Sequence, residues 1–225
     1  MVQQFKALIF DLDGTLVDSA AIVELVMRRW CTENEIDYAL VKNSSRNSRT
    51  EDTVRSVAPH LDCKREAEKI EAIEREELKN LKEISGASKF LERVPEGQWA
   101  LATSSDSITA KAKLKATGMP IPTVLISGDQ VENGKPHPQA YLSAAKCLGL
   151  SPRECLAFED SDTGISSALA AGCSVIVVGT DRGAYDPQIL GNITNFEQLD
   201  LVVGERSSLT LAFTRMQNKR MESNG

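Results

Sequence analysis

Ala7-Leu8-Ile9-Phe10-Asp11-Leu12-Asp13-Gly14-Thr15-Leu16-Val17-Asp18 runs from four apolar residues into two aspartates and a glycine turn. The apolar run reads as a buried strand that ends at Gly14. Side chains two apart on a strand share a face, so Asp11 and Asp13 converge on one site. Neighbouring carboxylates repel, share a proton or bind a cation, and a divalent metal is the simplest resolution. Asp-x-Asp-Gly also opens EF-hand calcium loops, which require Gly at the sixth position and Glu at the twelfth. Counted from Asp11, those positions hold Leu16 and Ile22, which excludes that loop.

Outward from this stretch, β-rich runs recur at 99–102, 123–126, 155–158 and 175–178, with a weaker one at 201–203. Helical patterns at 111–117, 139–148 and 163–171 separate most of them, the last closed by Gly172. This alternation predicts an α/β fold, a Rossmann-like parallel sheet that binds ligands beyond the carboxyl ends of its strands. Roughly 85 residues without a convincing strand follow the first one, far more than a crossover needs. They predict an inserted helical domain over residues 17–83, with residues 1–16 and 84–225 forming the core and hinges near 15–18 and 83–86.

Within the insertion, Ser19 is expected to cap a helix reaching Glu33, and a second helix covers 51–57. A third carries Ala67, Ile70, Ile73, Leu78, Leu81 and Ile84 on one stripe, its intervening charges reading as a solvated face. The polar tail from Met216 reads as frayed.

The chain has 225 residues, a net charge of −6 and five cysteines without metal-type spacing. An acidic balance argues against nucleic-acid binding, and the scattered cysteines suit reduced thiols in the cytoplasm. No apolar stretch reaches membrane-spanning length, and a monomer is the simplest expectation. With only His60 and His137, a histidine-based triad or a His-rich metal site is disfavoured.

Three further segments mark strand ends. Thr103-Ser104-Ser105-Asp106 offers hydroxyls and backbone N–H groups to phosphate oxygens, although such runs also make plain turns. Gly134-Lys135-Pro136-His137-Pro138 fixes Lys135 ahead of a helix whose first turn suits Pro138. Phe158-Glu159-Asp160-Ser161 brings a carboxylate pair that serves either as a helix cap or as part of a hard-cation site with Asp11.

In this order the four motifs resemble the haloacid dehalogenase (HAD) superfamily of phosphohydrolases, and the helical insertion resembles that family's α-helical cap. Asp-Gly-Thr-Leu-Val-Asp-Ser, Gly-Lys-Pro-His-Pro and Glu-Asp-Ser-Asp-Thr-Gly-Ile are similar to its sugar-phosphate phosphatases. The resemblance implies Asp11 as nucleophile and Asp13 as general acid, protonated at the start, then base. It implies Mg2+ on the Asp11 carboxylate, the Asp13 carbonyl and Asp160, with Glu159 nearby. Thr103, Ser104, Lys135 and the Asp11–Leu12–Asp13 segment would hold the phosphate. The loop Arg46-Asn47-Ser48-Arg49-Thr50-Glu51-Asp52-Thr53 resembles the substrate-specificity loop with Arg46-Asn47 in place of His-Gly. It offers Arg49, with Asn43 and Arg46 behind it, to a small phosphorylated sugar or polyol.

Other chemistries of the scaffold fit less well. Dehalogenases of the superfamily lack the second aspartate. Sugar phosphomutases carry a histidine where Val23 stands, and phosphonate hydrolysis needs a cap lysine, whereas none occurs between Lys6 and Lys42. A receiver-type phospho-switch lacks the insertion and Asp13. A non-catalytic sugar-phosphate sensor stays open beside the phosphatase and the phosphomutase.

Overall fold

The computed structural model describes residues 4–42, 48–179, 186–204 and 208–213. Its strands are β1 (Gln4–Phe5), β2 (Ala7–Phe10), β3 (Val17–Asp18), β4 (Lys82–Glu83), β5 (Trp99–Ala102), β6 (Val124–Ile126), β7 (Cys155–Glu159), β8 (Ser174–Val178), β9 (Ile189–Ile193), β10 (Leu199–Val203) and β11 (Leu209–Phe213). Its helices are α1 (Ala20–Glu33), α2 (Thr50–Val57), α3 (Cys63–Glu76), α4 (Ala87–Leu91), α5 (Ser107–Ala116), α6 (Gln139–Cys147) and α7 (Asp162–Ala171).

A six-stranded sheet in the order β6-β5-β2-β7-β8-β9 carries the fold, and every pairing in it is parallel. Alternation along each strand sends residues to two different cores. Leu8, Phe10, Leu101, Phe158 and Ile176 pack with Phe90 of α4 and Leu114 of α5. Phe10 and Phe158, paired across β2 and β7, stack with ring centroids 4.7 Å apart. The opposite face, with Ala7, Ile9, Ala100, Ala102 and Ala157, is cut small and packs against α6 and α7 through Tyr141, Ala144, Ala145 and Ala168. The result is a three-layer α/β body with β2 at its centre.

The weak run at 201–203 is a strand, but not of this sheet. It belongs to β10, in an antiparallel sheet ordered β1-β11-β10. Apolar character reports burial and says nothing of the pairing partner. The sixth parallel strand is β9 instead.

Helices α1, α2 and α3 lie between β2 and β5 and share their own cluster around Val26, Trp30, Val54 and Ile70. The chain enters and leaves this insertion through β3 and β4, which pair antiparallel. That pairing corrects the expected third helix. α3 ends at Glu76, because Lys82 and Glu83 are drawn into the ladder with β3. Leu78 and Leu81 therefore pack in the cluster of Phe10 and Phe90 rather than extending the helical stripe.

Its charged side is also not uniformly solvated. Glu66 and Glu74 are buried, Glu66 accepting a 3.0 Å hydrogen bond from Trp30 Nε1 and pairing with Lys69. All five cysteines are free, and among the described residues no helix is long and apolar enough to cross a membrane. The tail from Thr214 onward lies outside the described residues, and so do Asn43 and Arg46.

Candidate active site

At the carboxyl end of β2 the ladder with β7 continues for one more bond, Asp11 N–H to the Phe158 carbonyl at 3.0 Å. The chain then turns sharply. The Leu12 carbonyl accepts from the backbone N–H groups of Thr15, Leu16 and Val17, and Gly14 takes φ +88°, which L side chains rarely adopt. A Cβ at Gly14 would also overlap the Asp160 carboxylate, so glycine here serves both the turn and the approach of β7's loop. The Leu12 side chain is fully buried in the core, which leaves only its backbone for the site.

Asp11 is buried, and one oxygen accepts from Lys135 Nζ at 2.6 Å. The same ammonium reaches Glu159 Oε1 at 2.5 Å. Glu159 is fully buried and committed on both oxygens. Oε1 also accepts from the Tyr141 hydroxyl at 2.7 Å, and Oε2 from the Asp160 and Ser161 amides and the Ser161 hydroxyl. A Cβ at Gly164 would overlap this carboxylate, so α7 can begin directly behind it only with glycine there. Burial pushes the Asp11 carboxyl well above the ordinary aspartate range; Lys135 opposes the shift, and Glu159 and Asp160 add to it. Carboxylate oxygens of Asp11, Glu159 and Asp160 lie within 4.8 Å of one another, an all-oxygen set suited to a hard divalent cation.

Asp13 stands beside this group with a different environment. Its Oδ1 accepts from Ser19 Oγ at 2.5 Å and from Lys113 Nζ at 2.6 Å, and its Oδ2 from Ser105 Oγ at 2.8 Å. Burial alone would raise its pKa, but Lys113 and the hydroxyl donors outweigh that and hold the carboxyl below the ordinary range. This surrounding favours the ionised form of Asp13, whereas the resemblance implies a protonated start. The physical reason is Lys113, which no motif contains. Ser19 likewise stands at the N-cap of α1 without capping it, because its hydroxyl is turned to Asp13.

Asp11, Asp13, Thr103, Ser104, Lys135 and Asp160 line one cavity of about 60 Å³. Its far wall comes from the insertion: Val23, Val26 and Met27 of α1, Ile70 and Glu74 of α3, and Ser48, Thr50 and Thr53 around the start of α2. Arg49 is not on that wall. Its guanidinium is held by Asp52 at 2.5 and 2.9 Å and by the Val131 carbonyl at 2.9 Å, against Gly128 and Gly134. It lines the adjoining larger cavity instead.

Sequence reasoning missed Lys113, Glu74 and Tyr141, and it offered the Ser105 hydroxyl to phosphate where the structure turns it to Asp13. For Lys113 a signal existed. It falls with Thr109, Ala110 and Leu114 on the buried face of α5, where helical spacing calls for an apolar residue.

The family model for haloacid dehalogenase-like hydrolase matches residues 8–178. The chain is 35% identical to hexitol phosphatase A of Escherichia coli over 211 residues, covering 92% of this chain and 94% of that protein. It is 31% identical to glycerol-1-phosphate phosphohydrolase 2 of Saccharomyces cerevisiae, over 78% of this chain and 75% of the relative. In fold it is similar to the crystal structure of β-phosphoglucomutase from Clostridium difficile, with a TM-score of 0.75 at 20% identity, covering 87% and 93% of the two chains. Sheet order, motif positions and these likenesses agree, and the chain belongs to the haloacid dehalogenase-like hydrolases.

Proposed function

We propose that this protein is a magnesium-dependent phosphatase that hydrolyses small sugar or sugar-alcohol phosphates through an aspartyl-phosphate on Asp11. The observation that carries this reading is the Lys135-braced Asp11 carboxylate, in a cavity shared with Asp13, Asp160 and the Thr103–Ser104 hydroxyls. The names of the two relatives support phosphomonoester hydrolysis with a polyol leaving group. The small cavity supports a small substrate. Free cysteines support a reducing compartment such as the cytosol.

Asp11 attacks phosphorus, and the bond to the leaving oxygen breaks as Asp13 gives that oxygen its proton. A water then attacks the acyl-phosphate, Asp13 takes a proton from it, and Asp11 is regenerated. Asp13 thus alternates between protonated and ionised forms in each turnover.

An anionic nucleophile ~4 Å from a phosphate charge meets about 4 kcal/mol of repulsion per charge pair at an effective dielectric near 20. Lys135 offsets part of this beside the nucleophile. Magnesium, held by Asp11, Asp160 and the Asp13 carbonyl with Glu159 behind them, would neutralise further charge on the phosphate. Glu159 chiefly holds Lys135 in place, since its oxygens are already taken by protein donors.

Residues 17–83 act as the cap, supplying the wall that meets the leaving group and excludes bulk water. Val23 on that wall offers no group to retain the phosphoryl for a returning sugar, which favours water as acceptor over a phosphomutase.

Purified protein assayed with Mg2+ against phosphorylated hexoses, hexitols, glycerol phosphate and nucleotides is expected to release phosphate from the polyol and sugar esters. Asp11→Asn is expected to lose turnover by about 10³-fold or more, and chelation to abolish it. Full turnover in Asp11→Asn would reject the nucleophile. Tight binding without phosphate release across the panel would turn the reading to a sensor.

A further inference from the structure

Lys113 lies outside every motif, yet its side chain is 1% exposed and its ammonium is placed between two carboxylates from different parts of the molecule. Nζ stands 2.6 Å from Asp13 Oδ1, after β2, and 2.7 Å from Glu74 Oε1, on α3 of the insertion. It also donates to Ser105 Oγ, at the end of β5, at 3.0 Å. All four residues line the same cavity. One turn earlier on α5, Thr109 Oγ1 accepts from Arg75 at 2.8 Å. Consecutive residues of α3, Glu74 and Arg75, therefore dock on successive turns of α5.

A purely structural lysine is a poor explanation of this geometry. Desolvating an ammonium and two carboxylates costs several kcal/mol per ion, and apolar residues of similar volume would serve packing as well or better. The arrangement does something an apolar contact cannot. Lys113 and Ser19 hold one oxygen of Asp13 while Ser105 holds the other, so the carboxylate has a fixed orientation in the cavity. The lysine is in turn held from the far side by Glu74, which belongs to the insertion.

We propose that Lys113 is a positioning residue that couples the seating of α3 on α5 to the orientation of Asp13. With α3 docked, Glu74 supplies the second carboxylate that keeps the ammonium over Asp13. With α3 displaced, Lys113 keeps Asp13 and Ser105 but loses the carboxylate that holds it from the far side, and its grip on Asp13 loosens. Substrate that draws the insertion onto the sheet thereby completes the proton-exchanging group only when the cavity is closed. This rests on the reading of Asp13 as the residue that exchanges protons with the leaving oxygen and with water.

The test is the dependence of phosphoryl transfer on the leaving group, followed in single turnovers. An alkoxide needs a proton to leave, whereas 4-nitrophenolate does not. In Lys113→Met the transfer rate from glycerol phosphate is expected to fall about 10–100-fold, with the burst of nitrophenolate from 4-nitrophenyl phosphate changed less than about threefold. Glu74→Gln, which keeps shape and fold, is expected to show the same selectivity with a smaller loss, about 5–10-fold, and decides the matter should Lys113→Met fail to fold. Equal losses on both substrates, or no loss, would overturn the proposal. Asp13→Asn separates the two levels. If it shows no leaving-group selectivity, the reading of Asp13 fails; if it does while Lys113→Met and Glu74→Gln do not, only the coupling fails.

Discussion

Two buried lysines, each between two carboxylates, organise this site in different ways. Lys135 bridges Asp11 at 2.6 Å and Glu159 at 2.5 Å, both fixed at the ends of the neighbouring strands β2 and β7. Lys113 bridges Asp13 at 2.6 Å and Glu74 at 2.7 Å, and so joins the sheet to a helix of the insertion. The first cluster is complete within the α/β body. The second exists only while α3 rests on α5. Under the proposed roles, Asp11 as nucleophile gains constant charge support from the first, and Asp13 as the group that changes protonation twice per turnover gains support from the second when α3 is seated.

The largest effect expected from breaking this contrast is on the sheet-borne cluster. Lys135→Met removes the cation beside Asp11, the proposed nucleophile, and kcat is expected to fall by about 10³-fold on aryl and alkyl phosphates alike. A loss confined to alkyl phosphates would erase the distinction between the two lysines.

The next effect is on stability. Lys113→Met leaves the buried Glu74 and the half-buried Asp13 without their common cation, and removal of one partner from a buried ion pair costs about 3 kcal/mol or more. Adding Glu74→Leu is expected to restore most of the loss, because it removes one stranded charge and fills the space with apolar volume. Urea midpoints of the single and double variants measure this. No recovery in the double variant would mean that α3 and α5 are not held together through this pair.

The contrast also explains what could be read from the chain. β2, β5, β7 and β8 are continuous apolar runs because both faces of a central parallel strand are covered, and the first three end in candidate site residues. Asp11, Thr103 and Asp160 were visible for that reason. β9 was hidden: it is half-exposed and carries Gly191, where a Cβ would overlap the Phe213 ring, so neither apolarity nor β-propensity marks it. Glu74 was hidden more deeply. Its segment is rich in charge, and only the docking of α3 on α5 distinguishes it from its solvated neighbours. A residue 39 positions away supplies that information, and no local pattern contains it.

A smaller effect sharpens the view of the sheet-borne cluster as over-determined. Tyr141→Phe removes one hydrogen bond to Glu159, which keeps Lys135 and the Ser161 donors. The expected cost is about 1.5 kcal/mol of stability, with kcat within about fivefold of the parent. Thermal melts with steady-state assays check it, and a loss comparable to that of Lys135→Met would show that the cluster has no redundancy.

The smallest effect concerns an acid on α3 one turn before Glu74. Glu71 lines the larger cavity between the insertion and the core, together with Asp106 and Arg75. Burial first, and then Asp106, push its carboxyl up from 4.5 to about 8, against a hydrogen bond from Thr50 and the charge of Arg75. Between these values the folded chain holds a proton that the unfolded chain has released. Stability is therefore fully retained below about pH 4.5 and falls as pH rises towards 8. Glu71→Gln removes the titration while keeping the shape. The residue is partly exposed, and solvent screening reduces the gain at high pH to about 1 kcal/mol, or ~2–4 °C in melting temperature. Parent and variant are expected to melt together at pH 5 and to separate at pH 8.5, with the variant higher. An equal offset at both pH values would mean that Glu71 acts through packing, and that the docking face of α3 carries no acid under strain besides the one Lys113 holds.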